Sequence, residues 1–242
     1  MKKRLTAAIA AVLMTYTTSS LETPDKKPFK GGMPQYVTID RHPVLVHEFN
    51  PKGFDFNIEV VREPKTLDYF VRRYNPSLII GGGFHDRATR TMVGGVRKRG
   101  EELSYGIWPP VGAKLYYRVG YFGITDSVNS VANDFEVNDL VWLVRNNRRC
   151  LNKKRKINPN ERVPRIAFGA KKNGNNLLVL YTGRIDELAG LMLRFGCNNA
   201  VSFDGGVNRA YLYRRGRYEI RKRGSTKYDP PNLKNVLLGY VR

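Results

Sequence analysis

Two stretches of this chain pass through the same order of features, and that order constrains the fold more than any other part of the sequence. In the first, Thr66 stands as a cap before Leu67, Phe70, Val71 and Tyr74, which fall at helical spacing, and Asn75 with Pro76 stops the helix. The apolar run 78–80 follows and passes into Gly81, Gly82 and Gly83. In the second, residues 186–195 place Leu188, Leu191, Met192 and Phe195 on one helical face, with Gly196 just past the end. The apolar run 200–203 then passes into Asp204, Gly205 and Gly206. A short apolar run bounded by breakers reads as a buried strand, so each unit predicts a helix, a buried strand and a glycine turn. Copies of one ancestral unit would turn their glycines toward one cleft; an unrelated recurrence of helix and strand has the same look.

The rest of the chain reads mainly as sheet. Runs rich in β-formers occupy 36–39, 44–48 and 57–62, separated by Asn50, Pro51 and Gly53. Further strands are predicted at 92–97, 103–108, 114–119, 140–145, 165–170, 177–181, 211–222 and 236–241, with Lys172, Asn173 and Gly174 as a hairpin turn. The basic stretch 146–161 reads as an exposed loop. The expected class is α+β (mixed α/β): a sheet-rich single domain with a mixed β-sheet and two main helices. A chain of 242 residues, 41% of them hydrophobic, can bury the core of one such domain.

The first 20 residues carry Lys2, Lys3 and Arg4, an apolar run over 5–14 and a polar end at Ser19 and Ser20, the pattern of a secretory signal peptide. That run is well short of the roughly 20 residues a membrane-crossing helix needs. A retained N-terminal anchor is the alternative, and no later segment is apolar enough to span. Residues 21–35 read as a Pro, Lys and Gly-rich linker and 36–242 as the folded domain, so the expected location is secreted or cell-envelope. Across the chain 42 Lys and Arg face 21 Asp and Glu, a formal charge of +21. Removing the leader deletes three positive charges and no acid, so the excess belongs to the domain and calls for a polyanionic partner or a functional field. Cys150 and Cys197 fit either one disulfide or two free thiols. No Cys and His spacing suggests structural zinc; no cofactor is expected, and the sequence leaves a metal requirement open.

Glycines at the exit of a buried strand let backbone NH groups converge on phosphate or carboxylate oxygens. Asp204, at the mouth of one such turn, is where a reacting carboxylate belongs. The plain alternative is that the glycines only permit tight turns and that Asp204 bonds its own backbone. Neither turn has the spacing of a dinucleotide fingerprint or a nucleotide phosphate loop.

The ordered series Gly82, Gly83, Phe84; Arg165, Ile166, Ala167, Phe168, Gly169; Gly183, Arg184; Phe203, Asp204, Gly205, Gly206 resembles the phosphodiester glycosidase family, whose domain also occurs in many bacterial exported proteins. The resemblance covers roughly 67–212, and 165–206 is its most specific part. It departs from the family at Gly81, where an Asn is usual, at His85, where an aromatic is usual, and at Thr182, where an acid is usual. Val207 and Asn208 stand where the family continues with Gly and Ser. The family implies hydrolysis of a sugar joined through its anomeric carbon to a phosphodiester. Such a leaving group is a stabilised anion, so one carboxylate suffices where ordinary glycoside hydrolysis uses two. On this reading Asp204 activates water or stabilises positive charge on the sugar, Asp86 is a partner carboxylate and His85 a proton carrier. Arg165 and the NH groups of Gly82, Gly83, Phe84, Gly205 and Gly206 hold the phosphate, and Asn208, Arg184 and Arg209 lie at the substrate rim.

Three functions compete: a hydrolase acting on glycosyl phosphodiesters of cell-envelope or exopolysaccharide glycans, an altered relative that binds such polymers without cutting them, and a nucleic-acid binder. Tyr211, Tyr213, Arg214, Arg215, Arg217, Tyr218, Arg221, Lys222 and Arg223 read as a basic and aromatic hairpin able to grip phosphorylated or anionic glycans, or as an edge strand guarded by charge. Nucleic acid ranks last, because no recognised motif is present and an export signal leads away from it.

Overall fold

The structure is a computed structural model and describes residues 32–81, 94–104, 112–126, 133–151, 160–203, 210–215, 218–223 and 233–242. Its strands, in chain order, are β1 (Gln35–Ile39), β2 (His42–Phe49), β3 (Phe54–Lys65), β4 (Leu78–Gly81), β5 (Val96–Lys98), β6 (Glu101–Ser104), β7 (Ala113–Arg118) and β8 (Tyr121–Thr125). There follow β9 (Phe135–Arg145), β10 (Arg148–Arg149), β11 (Val163–Lys171), β12 (Asn176–Gly183), β13 (Cys197–Ser202), β14 (Ala210–Arg215), β15 (Tyr218–Arg223) and β16 (Leu233–Val241). One sheet of eleven strands runs β1-β2-β12-β11-β13-β9-β5-β6, with β7 and β10 also on β9 and β8 on β7; a sheet of five runs β15-β14-β4-β16-β3. Every pairing among the described residues is antiparallel.

The two helices form where the spacing predicts them. In α1 (Leu67–Tyr74) the Thr66 hydroxyl accepts from the Tyr69 NH, and Asn75 closes the helix in the left-handed region at φ 47°. Asn tolerates that conformation because its short polar side chain bonds locally. In α2 (Ile185–Arg194) the Arg184 NH donates to Glu187 Oε2 at 2.9 Å, satisfying an NH at the helix start, and Gly196 follows at φ 80°.

The core divides into three apolar clusters that define four layers. Between the sheets lie Phe49, Phe56, Ile80, Phe122, Phe168, Val201, Phe203 and Tyr211. On the outer face of the larger sheet, Leu188 and Met192 of α2 pack with Val141, Leu143 and Val179. On the outer face of the smaller one, Leu67 and Phe70 of α1 pack with Ile79, Leu212 and Leu238. The two repeated units therefore occupy equivalent places: each helix covers the sheet that contains its own apolar strand, and both strands lie inside their sheets.

Three details differ from the sequence reading. β8 is a strand despite Gly120 and Gly123, because a Cβ on Gly123 would lie 2.1 Å from the Tyr116 ring that packs over it. β9 begins five residues earlier than the predicted run at 140, bending through Asn138 and Asp139. Tyr211 and Tyr213 point into the core at 0% and 1% exposure, so they offer no stacking surface to a glycan. The Tyr211 hydroxyl instead shares a 2.9 Å hydrogen bond with His47 Nδ1 on the opposite sheet, and Arg214 donates to the Pro76 carbonyl and to Asn75.

Both cysteines are free. Cys197 is buried on the helix-covered face of its sheet, whereas Cys150 packs against the cluster between the sheets. Burial pushes the Cys197 thiol up to about 12. No helix among the described residues is long and apolar enough to cross a membrane.

Candidate active site

β4 and β13, the strands that run into the two glycine pairs, are tied together through β14. Gly81 ends β4 and pairs with Val236 of β16, while Tyr211 of β14 pairs with the neighbouring Ile80. β14 starts at Ala210, so its first residue stands beside the end of β4. Only residues 204–209 separate Phe203, after β13, from Ala210. A chain that short reaches at most roughly 25 Å, and Phe203 and Ile80 already share the apolar cluster between the sheets. The rim of the larger sheet at the β13 exit is thus joined to the β4 end of the smaller sheet by a connection no longer than that. Gly82, Gly83, Phe84, His85, Asp86, Asp204, Gly205, Gly206, Asn208 and Arg209 lie outside the described residues.

Arg165 belongs to this rim. Ala167 pairs with Ser202, which puts Arg165 two residues further toward the open end on the strand beside β13. Its side chain is 6% exposed; Nε donates to the Gly183 carbonyl and Nη2 to the Glu161 carbonyl, both at 3.0 Å. Burial lowers its affinity for its proton, and Glu161 and Asp186 oppose that shift. Two donors are thus spent on backbone, which fixes the guanidinium in orientation.

Arg184 sits on the same side of the sheet end, where β12 passes into α2. It faces Asp186 and Glu187 at 3.2 and 3.3 Å and is 40% exposed. Glu187 gathers the junction: it also accepts from the Tyr181 hydroxyl at 2.8 Å and from Arg162 at 2.9 Å. Desolvation raises the Glu187 carboxyl, but those donors and the two guanidinium groups outweigh it and hold the group below its ordinary value. Burial, together with the hydrogen bond to Glu187 and its negative charge, pushes Tyr181 up to about 12 against the opposing Arg162 cation.

Packing explains several of the motif glycines. A Cβ on Gly169 would lie 2.4 Å from Cys197 Sγ and 2.7 Å from Met192 Cε, and one on Gly183 would strike Tyr181 and Glu187. They let α2 and its strands close onto β11 and β12.

One residue of the rim went unnoticed in the sequence. Asp139 sits in the bend of β9 at φ 62° and 2% exposure. Ser202 pairs with Val141, so Asp139 stands two residues further toward the open end, on the side of β13 opposite Arg165. The pattern Phe135, Glu136, Val137, Asn138, Asp139, Leu140 breaks strict alternation at this point, and that break was the available signal.

Residues 74–238 match the family model for phosphodiester glycosidase. The fold is that of the zebrafish N-acetylglucosamine-1-phosphodiester alpha-N-acetylglucosaminidase catalytic domain, solved auto-inhibited by pro-peptide, at TM-score 0.62 and 16% identity over 87% of this chain and 82% of that one. A hypothetical protein from Synechocystis superposes at TM-score 0.59 and 14% identity, over 86% of this chain and 61% of that chain. A presumed exported protein from Burkholderia pseudomallei K96243 gives 0.55 and 12%, over 83% and 74%. No curated protein matches the sequence.

Proposed function

We propose that this chain, which belongs to the phosphodiester glycosidase family, is an exported hydrolase that cleaves sugar-1-phosphodiester bonds on cell-envelope or exopolysaccharide glycans. The family match across 74–238 carries the reading, and the short connection that ties the β13 exit to the β4 end through β14 is compatible with it. In the reaction, water adds its oxygen to the anomeric carbon. The bond from that carbon to the phosphate oxygen breaks, its electron pair leaves on a phosphate monoester, and Asp204 takes the proton of the water. Asp86 and His85 complete the proton relay. Arg165 and the backbone NH groups of Gly82, Gly83, Phe84, Gly205 and Gly206 receive the phosphate, with Asn208, Arg184 and Arg209 around it. The positive excess, +21 less the three charges of the leader, draws the anionic polymer in.

The test is turnover. Purified protein and Asp204→Asn are offered α-glycosyl-1-phosphodiesters of N-acetylglucosamine, glucose and mannose, with sugar release and binding measured together. The expected result is release by the parent and a loss of about 100-fold or more in the variant, with binding kept. Equal release by both removes Asp204 from the reaction. Binding without release by either makes the chain a binding member of its family.

A further inference from the structure

We infer that the trough between the edge of β3 and the β5–β6 pair is a binding groove for a phosphate-bearing glycan chain, with Arg62 and Lys234 as its anion contacts. The inference deepens the proposed function by giving the anionic polymer a place on the surface, and it rests on that reading only for the class of polymer. β3 is the outer strand of the smaller sheet, and β6 ends the larger one. The trough has a volume of about 500 Å³ and is lined by Val60 and Arg62 of β3, Lys98 of β5, Leu103 and Ser104 of β6, and Lys234 of β16. Val236 of β16 pairs with Glu59, also in the wall, on one side and with Gly81 on the other. The trough therefore reaches the level of the last residue of β4, two strand spacings or roughly 10 Å away.

The fold does not account for the charges of this wall. β3 bulges here: Val60 pairs with Asn235 and Lys65 with Leu233, so residues 61–64 stand against Lys234 alone. Bulges re-aim side chains, and this one leaves Arg62 and Lys234 lining the same trough. Like charges on neighbouring strands repel unless something lies between them. Glu59 is the only acid among the described residues of the wall, and its partners lie elsewhere. Lys98 stands 3.8 Å from it, Asn57 donates to it at 2.7 Å and the Tyr74 hydroxyl at 3.2 Å. Among the described residues no acid forms an ion pair with Arg62 or Lys234. Protection of an exposed edge explains Arg62 but not Lys234. On β3, charge and Pro64 discourage the pairing of a further strand, whereas β16 is an interior strand between β3 and β4. The same guard turns away an extended peptide and favours an occupant recognised by its charge. Leu103, 40% exposed, and the half-buried Val60 offer apolar contact to the faces of sugar rings between phosphates.

The test is binding of the full chain to dextran phosphate, which carries phosphate on sugar but has no glycosyl phosphodiester to cut. Calorimetry at low salt compares the parent, the double variant Arg62→Glu with Lys234→Glu, and the control Arg118→Glu with Lys172→Glu. Arg118 and Lys172 are exposed and lie outside the trough, so a diffuse field weakens equally in the two doubles. The expected result is a Kd raised about tenfold or more beyond the control by the groove variant, with Arg62→Gln and Lys234→Gln together giving a smaller loss of the same kind. Equal losses in groove variant and control overturn the inference, as does a parent that does not bind dextran phosphate. Tighter binding of poly-glutamate than of dextran phosphate makes the occupant an acidic peptide and overturns it too. Failure of both the Glu and the Gln doubles to fold, read by thermal unfolding, makes the two cations structural and also overturns it. None of these outcomes bears on turnover of small glycosyl phosphodiesters, so the hydrolase reading stands or falls by its own test.

Discussion

His47 carries a pH dependence that its surroundings dictate. It is fully buried between the sheets, and desolvation pushes it down to about 4 against the backbone at Gly32, which raises it. In the unfolded chain it titrates near 6.5, so between about 6.5 and 4 the unfolded state binds the extra proton and folding weakens as pH falls. The full contribution is present above 6.5, about 3 kcal/mol of it is lost by pH 4, and the loss levels off below that. Urea unfolding at pH 7, 5 and 4 should show His47→Gln losing less stability with acid than the parent by about that amount. A parallel acid loss in both proteins would show that other groups govern it. Arg165 teaches a related lesson about residues. Its identity was legible as part of a motif, but its bonds to the Gly183 and Glu161 carbonyls were not, because they depend on how β11 and β12 end together in space.

Among elements, the helices and apolar strands were read correctly because their signals are local. Leu67, Phe70 and Tyr74 mark a face by spacing alone, and Thr66 and Asn75 mark its ends. β8 and the first half of β9 were missed because the deciding fact lies elsewhere in the chain: Gly123 is a strand residue only because Tyr116 lies over it. The candidate site divides in the same way. The glycine turns were legible as interruptions of apolar runs, whereas Asp139 enters only once β13 and β9 are paired. The packing of α2 makes its own prediction. Gly169→Ala should cost about 1–3 kcal/mol in chemical unfolding, since its methyl meets Cys197 and Met192. Adding Cys197→Ala should recover part of that cost, and strict additivity of the two changes would argue against direct contact.

For the whole molecule, the burial of Tyr211 and Tyr213 leaves charge rather than stacking to carry the proposed binding of anionic polymers. Binding to a soluble polyphosphate should weaken steeply as salt rises, because the attraction is a screened field. Charge reversal at Arg215 and Lys222 together should weaken it further, while Val119→Ser, at an exposed site remote from the rim, should not. Insensitivity to salt would point to short-range recognition instead.

The smaller sheet also dictates an order of assembly. β16 lies between β3 and β4, so residues 233–241 supply the hydrogen-bonding partner for strands made some 150 residues earlier in the chain. Until that segment has been synthesised, β3 and β4 have no neighbour to join them, and half the sandwich stays open. Native closure must wait for late synthesis, which leaves a nascent chain unlocked and threadable for most of its time on the ribosome.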